Sequence, residues 1–210
     1  RINRNENVIN TLTYETKNKI NKKMNTNDMY VDFETIHDNF LDTNPSYGEV
    51  NGEKIFLIGV WYKNRYISFL SRNLTHKEEK RMISEFYDFW ISVDKPRIWY
   101  WFAETSMWER AQNRHNISLP LDLHDLHTIF YEEKIVLKNC FNFKLKSLVH
   151  ALETQNETQN ETKVENGLDA LFTAWRFYKD SYGNLQEVIE YNKLDCIYLE
   201  KLVDYLQTLI

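Results

Sequence analysis

Cysteine is scarce in this chain: Cys140 and Cys196 are the only two among 210 residues. Cys196 falls inside a helical pattern, so no disulfide framework is expected and a reducing compartment fits best. Long apolar runs are missing as well. Nowhere do about 18 consecutive apolar residues occur, and the opening RINRNENVIN lacks the apolar stretch of a secretory signal. No membrane partner is therefore expected, and the chain reads as soluble and intracellular, in cytoplasm or nucleus. Positive charge is not in excess either: 26 Lys and Arg against 31 Asp and Glu give a formal net charge of −5. That disfavours a protein gripping nucleic acid by bulk charge and leaves room for a local basic groove. The first residue is Arg1 rather than Met, from which a piece of a larger polypeptide is expected.

What is present is enough for one core. Hydrophobic residues make up 42% and aromatic residues 15% of the chain, so one domain is expected. Residues 1–28, rich in Asn, Lys and Thr, read as a linker or weakly ordered lead-in in which TLTYETKNKINKK has some helical character. The domain proper is expected over 29–210, with a polar loop at about 153–166 around the short repeat ETQNETQNET. Strand-type runs occur at 29–36, 55–62, 66–71 and 97–102, the second and third joined by KNR as a hairpin. Helical spacing appears at 78–91, 104–116, 143–152, 168–180 and 185–209. Three consecutive strands, then alternating helix and strand, then terminal helices predict an α/β fold around a mixed sheet.

The stretch MYVDFETI, residues 29–36, carries the first chemical question. In a strand, residues two apart share a face, so Asp32 and Glu34 stand side by side with like charge. The last helix adds a third acid. On its wheel Val188, Asn192, Asp195, Leu199, Leu202, Val203 and Leu206 share one stripe, opposite Glu190, Lys193, Lys201 and Asp204. Asp195 is thus predicted to point inward, with Tyr191 one turn earlier on nearly the same face. A buried unpaired carboxylate costs several kcal/mol or titrates, on the order of the penalties known for buried charge. No positive side chain shares the stripe, so a divalent cation is the economical partner. Oxygen-only ligands suit Mg²⁺ or Mn²⁺, and two such ions about 3.5–4 Å apart can clamp the attacking and leaving oxygens of a phosphodiester.

Each of these signals has a plainer reading. A lone Asp-x-Glu is most often the solvent face of an edge strand, and Tyr-x-x-x-Asp occurs on many helices. Glu104 stands where acids are favoured in any helical first turn. His124, Asp125 and His127 lack the convergent ligands of a zinc site. Lys138, Phe141, Phe143, Lys144 and Lys146 interleave base and ring as a single-strand platform would, although an amphipathic helix start with core Phe accounts for them as well. Trp99, Trp101 and Trp108 read as core or pocket wall.

Together, YVDFET, an acid following a later strand, and YNKLD as Tyr-x-x-x-Asp resemble the DEDD 3′→5′ exonucleases of the DnaQ-like, ribonuclease H-like superfamily, in its tyrosine branch. WYWFAE, Asp125-Leu126 and FKLKSL extend the resemblance toward the ribonuclease H-like domains associated with RecB-type nucleases. The resemblance implies a ribonuclease H-like three-layer fold, a central mixed β-sheet flanked by helices. It implies that Asp32 bridges two Mg²⁺ or Mn²⁺ ions, Glu34 and Asp195 complete one site, and Glu104 holds the second ion. Tyr191 would orient the attacking water, and Glu190 stands where the histidine branch has its His. Most of the superfamily has Asp where this chain has Glu104, and Asp125 is the alternative fourth acid. The substrate implied is nucleic acid with a single-stranded 3′ end. Two rivals share the fold: an inactive nuclease-derived binding or scaffolding module, and a structure-specific endonuclease.

Overall fold

A computed structural model of the chain describes residues 12–21, 28–37, 53–153 and 167–210. Apart from Glu153 at its edge, the expected polar loop lies outside the described residues, as do 1–11 and 22–27 of the expected lead-in. Five strands, β1 (Met29–His37), β2 (Glu53–Tyr62), β3 (Arg65–Leu70), β4 (Ile98–Tyr100) and β5 (Leu123–Asp125), form one sheet in the order β3-β2-β1-β4-β5. β1, β2 and β3 pair antiparallel, whereas β4 and β5 run parallel to β1. The expected mixed sheet is therefore present. The β2–β3 hairpin closes on Lys63 and Asn64, both at positive φ, the conformation that a two-residue turn requires to match strand twist.

Seven helices complete the described elements: α1 (Tyr14–Asn21), α2 (His76–Ser92), α3 (Glu104–His115), α4 (Leu126–Glu132), α5 (Leu145–Glu153), α6 (Gly167–Asp180) and α7 (Gln186–Thr208). Thr75 caps α2 by accepting from the Glu78 amide, and Asn116 ends α3 in the left-handed conformation. On one face of the sheet, Met29, Val31, Phe33 and Val60 pack with Met82, Ile83 and Phe86 of α2 and Trp108 of α3. On the other, Tyr30 and Trp99 meet the α7 stripe of Leu199, Leu202, Val203 and Leu206, while Ile36 and Leu57 meet Val188 and Ala174. The result is three layers, helices on both sides of the sheet.

Two segments differ from their sequence readings for physical reasons. β5 and α4 escape the periodicity reading, because a three-residue strand running straight into a seven-residue helix is too short to show either period. Within the expected lead-in, α1 docks on the domain: Leu12 and Ile20 are buried in the cluster that contains the α7 stripe, and Thr13 donates to Glu133 at 2.6 Å. Asp28 accepts from Arg97 at 2.7 Å and from the Trp99 indole at 2.9 Å, which makes Trp99 a core residue. Cys140 and Cys196 are free thiols.

The α2–α3 interface holds a buried charge cluster. Glu79, 2% exposed, accepts from Arg114 at 2.9 and 2.7 Å, from the Ile55 amide at 3.0 Å, and contacts His115 at 2.9 Å. Burial pushes this carboxyl up, but hydrogen bonds from His115 and Arg114 outweigh it and hold the pKa below the usual carboxylate value. Glu79→Gln leaves the Arg114 guanidinium buried without its counter-charge, so urea unfolding should show a loss of about 3–5 kcal/mol. A loss under about 1 kcal/mol, the scale of an exposed pair, would show that the cluster is not acting as a buried pair.

Candidate active site

The acids foreseen in the sequence lie in the middle of β1, just beyond its pairing with β4, at the start of α3 that follows the carboxyl end of β4, and on α7. The carboxyl end of a parallel strand is where open α/β sheets place their ligands. Asp32 and Glu34 lie on the β1 face covered by α7, and Asp195 comes down from α7 with 6% of its surface exposed. Glu104 opens α3 shortly after Tyr100 ends β4, and is 4% exposed. A cleft of about 540 Å³ runs past them, walled by Asp32, Asp195, Tyr191, Trp101, Phe143 and Lys146. Glu34 and Glu104 are buried and do not form its wall.

Electrostatics tie the four together. Burial, then the charges of Glu34, Asp195 and Glu104, push the Asp32 pKa well above the carboxylate range. Burial and Asp195 raise Glu34 to about 8, against hydrogen bonding from Asn192. Burial raises Glu104 to about 8, opposed by backbone hydrogen bonds and reinforced by Asp125 and Glu34. Asp195 rises least, to about 6, because Lys146 and hydrogen bonding from Tyr191 offset its burial. Among the described residues, Glu34 Oε1 and Asp195 Oδ1 are buried side-chain oxygens without a hydrogen bond. Among the described residues, Lys146 holds its Nζ 3.9 Å from Asp195 Oδ1 and 3.8 Å from the Tyr191 ring centre, with a side chain 40% exposed. One peripheral lysine cannot neutralise four carboxylates.

Local structure explains how the sequence holds such a group. The β1–β2 register shifts between Glu34 and Thr35, a bulge of the kind that re-aims side chains beside sites. Gly59 lies opposite Asp32, and a Cβ there would come within 1.5 Å of Asn192 Oδ1. The missing side chain lets the wholly buried Asn192 reach β1, where its amide donates to Asp32 O at 3.0 Å and Oδ2 at 2.8 Å. Tyr66 fixes that amide from the other side, donating to Oδ1 at 2.8 Å. Sequence reading places Asn192 on the inward stripe but assigns it no task. The signal for it is a polar residue shortly before Asp195 on a buried face.

Other candidates fall apart by position. Asp125 caps α4, accepting from the His127 amide at 2.8 Å and the Thr128 hydroxyl at 2.7 Å, and it also accepts from the Phe102 amide at 3.2 Å. Glu104 accepts from the Ala103 amide at 3.0 Å, so the helix-start reading of this residue has a hydrogen bond behind it. Phe143, Lys144 and Lys146 line the cleft, whereas Lys138 and Phe141 do not. Trp101 is cleft wall, and Trp108 is core, its indole donating to Leu119 O. Among the described residues, three metal-type donor atoms come within 4.8 Å of one another only at His76, Glu79 and His115. There the carboxylate is already saturated by Arg114 and the Ile55 amide, which disfavours a cation. No three ligand atoms of Asp32, Glu34, Glu104 and Asp195 come that close together.

The raised carboxyls fix the sign of a pH dependence in ion-free protein. Between the ordinary value of 4.5 and about 8, folded Glu34 and Glu104 hold protons that the unfolded chain has released. Stability should therefore fall as pH rises through that window and level off above it. Glu79, with its lowered pKa, acts only below the window. Thermal unfolding in EDTA across that range checks this, and a midpoint that climbs from the acid end to the alkaline end would contradict it.

No curated protein matches the chain. Among solved structures, the crystal structure of the Aedes aegypti Nibbler EXO domain is similar at 11% identity, covering 95% of this chain and 94% of that one with a TM-score of 0.37. A family model described as the RNase_H superfamily matches residues 29–207, the whole stretch from β1 to the last turn of α7. With a sheet ordered β3-β2-β1-β4-β5 and helices on both faces, the chain belongs to the nuclease-like RNase_H superfamily.

Proposed function

We propose that this chain is a divalent-metal-dependent nuclease that hydrolyses phosphodiester bonds of DNA or RNA, acting as a 3′→5′ exonuclease. The observation that carries the reading is the pair of buried oxygens without a hydrogen bond, Glu34 Oε1 and Asp195 Oδ1, in a group of four carboxylates all raised by burial, three of them further by their neighbours' charge. Hard oxygen donors short of positive charge fit Mg²⁺ or Mn²⁺, with Asp32, Glu34, Glu104 and Asp195 as the residues that would hold two ions. Ions bound there would lower the pKa of water and stabilise charge on the phosphoryl oxygens.

The chain's own groups then have distinct tasks. Asn192 holds Asp32 from behind through two hydrogen bonds, leaving the carboxylate's other oxygen for the cleft. Tyr191 keeps its proton, since burial and Asp195 raise its pKa above the ordinary phenol value. It would position the attacking water by hydrogen bonding rather than remove its proton. Lys146, on the cleft wall, supplies positive charge to a substrate phosphate.

Asp32→Asn and Asp195→Asn should each abolish Mg²⁺- or Mn²⁺-dependent degradation of an end-labelled oligonucleotide. Because each removes a repelling charge, ion-free protein should unfold at the same or a higher temperature, about 2–4 °C for each kcal/mol relieved. Activity retained in either folded variant would reject the assignment. Tyr191→Phe should slow turnover by about 10²-fold or less, within the range of a positioned acid–base group, and leave ion binding intact.

A second reading has its own observation. Lys146 beside Asp195 and the backbone bond to Glu104 are features that an inactive, nucleic-acid-binding or scaffolding descendant would also show. Calorimetric titration with Mn²⁺ separates the two: the nuclease takes up two ions, the scaffold none. Internal cutting is tested on the same preparation, since a circular single strand survives an exonuclease and is opened by an endonuclease.

A further inference from the structure

The chain reaches Glu104 through a strained turn that core packing does not explain. β4 ends at Tyr100 and α3 begins at Glu104, so Trp101, Phe102 and Ala103 carry the chain from the sheet into the carboxylate group. The Ala103 amide donates to Trp101 O at 3.1 Å, and Phe102 between them has φ of +78°. A bond from residue i+2 back to residue i around a positive φ marks the rare, strained form of γ-turn, which a residue with a large side chain seldom adopts. Burial does not hold Phe102 there. The residue is 67% exposed, and its ring meets that of His127 edge-on at 4.9 Å.

The hold comes from Asp125 on the neighbouring strand. β5 pairs parallel with β4, and Asp125 stands in register with Tyr100. Its Oδ1 accepts from the Phe102 amide at 3.2 Å and from the amides of His127 at 2.8 Å and Thr128 at 3.3 Å, while Oδ2 accepts from the Thr128 hydroxyl at 2.7 Å. Both oxygens are committed to donors, as those of Glu79 are, and Asp125 is not part of the cleft wall. On the other side of the turn, the Ala103 amide that closes it also donates to Glu104 Oε2 at 3.0 Å, and Ala103, the N-cap of α3, offers no side-chain cap of its own. Position therefore passes from Asp125 through the Phe102 amide and the turn to the Glu104 carboxylate.

We propose that Asp125 is a positioning residue for Glu104: by holding the Phe102 amide it keeps the strained turn closed and so sets the Glu104 carboxylate where an ion would be held. The inference rests on the metal-dependent reading of the site and gives the alternative fourth acid a different task, acting through the backbone without binding the ion. That task needs a hydrogen-bond acceptor of the right length. It does not need a charge. Asparagine supplies such an acceptor, whereas serine, a good helix cap but one bond shorter, caps α4 without reaching Phe102. Glycine at position 102 removes the need altogether, because it takes positive φ without steric cost.

The test compares the full chain with its Asp125→Asn, Asp125→Ser, and combined Asp125→Ser and Phe102→Gly variants. Amide hydrogen exchange in EDTA, followed by NMR, reads the turn directly. The Phe102 and Ala103 amides should be protected in the parent and in Asp125→Asn, and Asp125→Ser should speed exchange of both by roughly tenfold or more, the size of a lost hydrogen bond to a charged group. Ala103 is the telling amide, since its acceptors are Trp101 O and Glu104 rather than Asp125. In the double variant its protection should return. Calorimetric titration with Mn²⁺ should show one of two ions bound roughly tenfold or more weakly by Asp125→Ser, with affinities within about threefold of the parent for Asp125→Asn and the double variant. An Asp125→Asn variant that loses an ion would make Asp125 a ligand and overturn the proposal, and this variant decides the point even where Asp125→Ser does not fold. Unchanged Ala103 exchange in folded Asp125→Ser, or a glycine that restores nothing, would overturn it as well. If the parent takes up two ions and degrades oligonucleotide while Asp125→Ser alters neither exchange nor ion affinity, the positioning role alone fails. If exchange follows the expected pattern but the parent binds no Mn²⁺, control of Glu104 by the turn stands and the metal-dependent reading falls.

Discussion

Like charge confined to a small desolvated space is the constraint on which this architecture turns. Burial raises the proton affinity of Asp32, Glu34, Glu104 and Asp195, and neighbouring carboxylates raise that of Asp32, Glu34 and Glu104 further, so the ion-free fold tolerates them by holding protons on them or by keeping them apart. The surrounding structure compensates in specific places. Asn192 donates once to the Asp32 carboxylate and once to its backbone carbonyl, the Ala103 amide donates once to Glu104, and Lys146 with Tyr191 moderates Asp195. Glu34 receives less, and its orphaned oxygen is the point at which the group is most in need of a cation.

Supporting these carboxylates places demands on residues with no charge at all. Asn192 reaches the β1 backbone only because Gly59 has no side chain, and its orientation is set from β3 by Tyr66. The site is thus held across three neighbouring strands and one helix, which is how a fold fixes a geometry that electrostatics alone would disperse. The contrast with the Glu79 cluster is instructive. There a buried carboxylate meets Arg114, His115 and a backbone amide and its pKa falls. Both are buried acids. Only the group that keeps buried oxygens without a hydrogen bond, Glu34 Oε1 and Asp195 Oδ1, is available for an ion.

The order of elements and the face of α7 were legible in the sequence because both rest on long periodic segments: Val188, Asn192, Asp195, Leu199, Leu202, Val203 and Leu206 are all buried as their spacing requires. MYVDFETI was legible because a strand's alternation puts Asp32 and Glu34 on one side whatever the tertiary structure. The short β5–α4 turn was not, since its identity depends on Asp125 capping a helix and on pairing with β4, a contact distant in sequence. Gly59, Tyr66 and Asn192 were unreadable as a unit for the same reason: nothing local marks a glycine as the vacancy into which a residue of the last helix fits. The lysine and ring pattern at 138–146 was half informative. Phe143, Lys144 and Lys146 reach the cleft, but their ring partners come from β4's end and from α4.

An acidic chain and a polyanionic substrate are compatible on this geometry. The formal net charge of −5 is a sum over the whole chain and does not set the potential in the cleft. In the proposed reading two divalent ions would balance the four carboxylates, and Lys144 and Lys146 would then leave the cleft locally positive. The positive potential that a nuclease needs would be supplied with its catalytic ions rather than carried permanently on its surface. Affinity for substrate phosphates would accordingly be coupled to ion binding. That charge contribution follows the ions and weakens with salt.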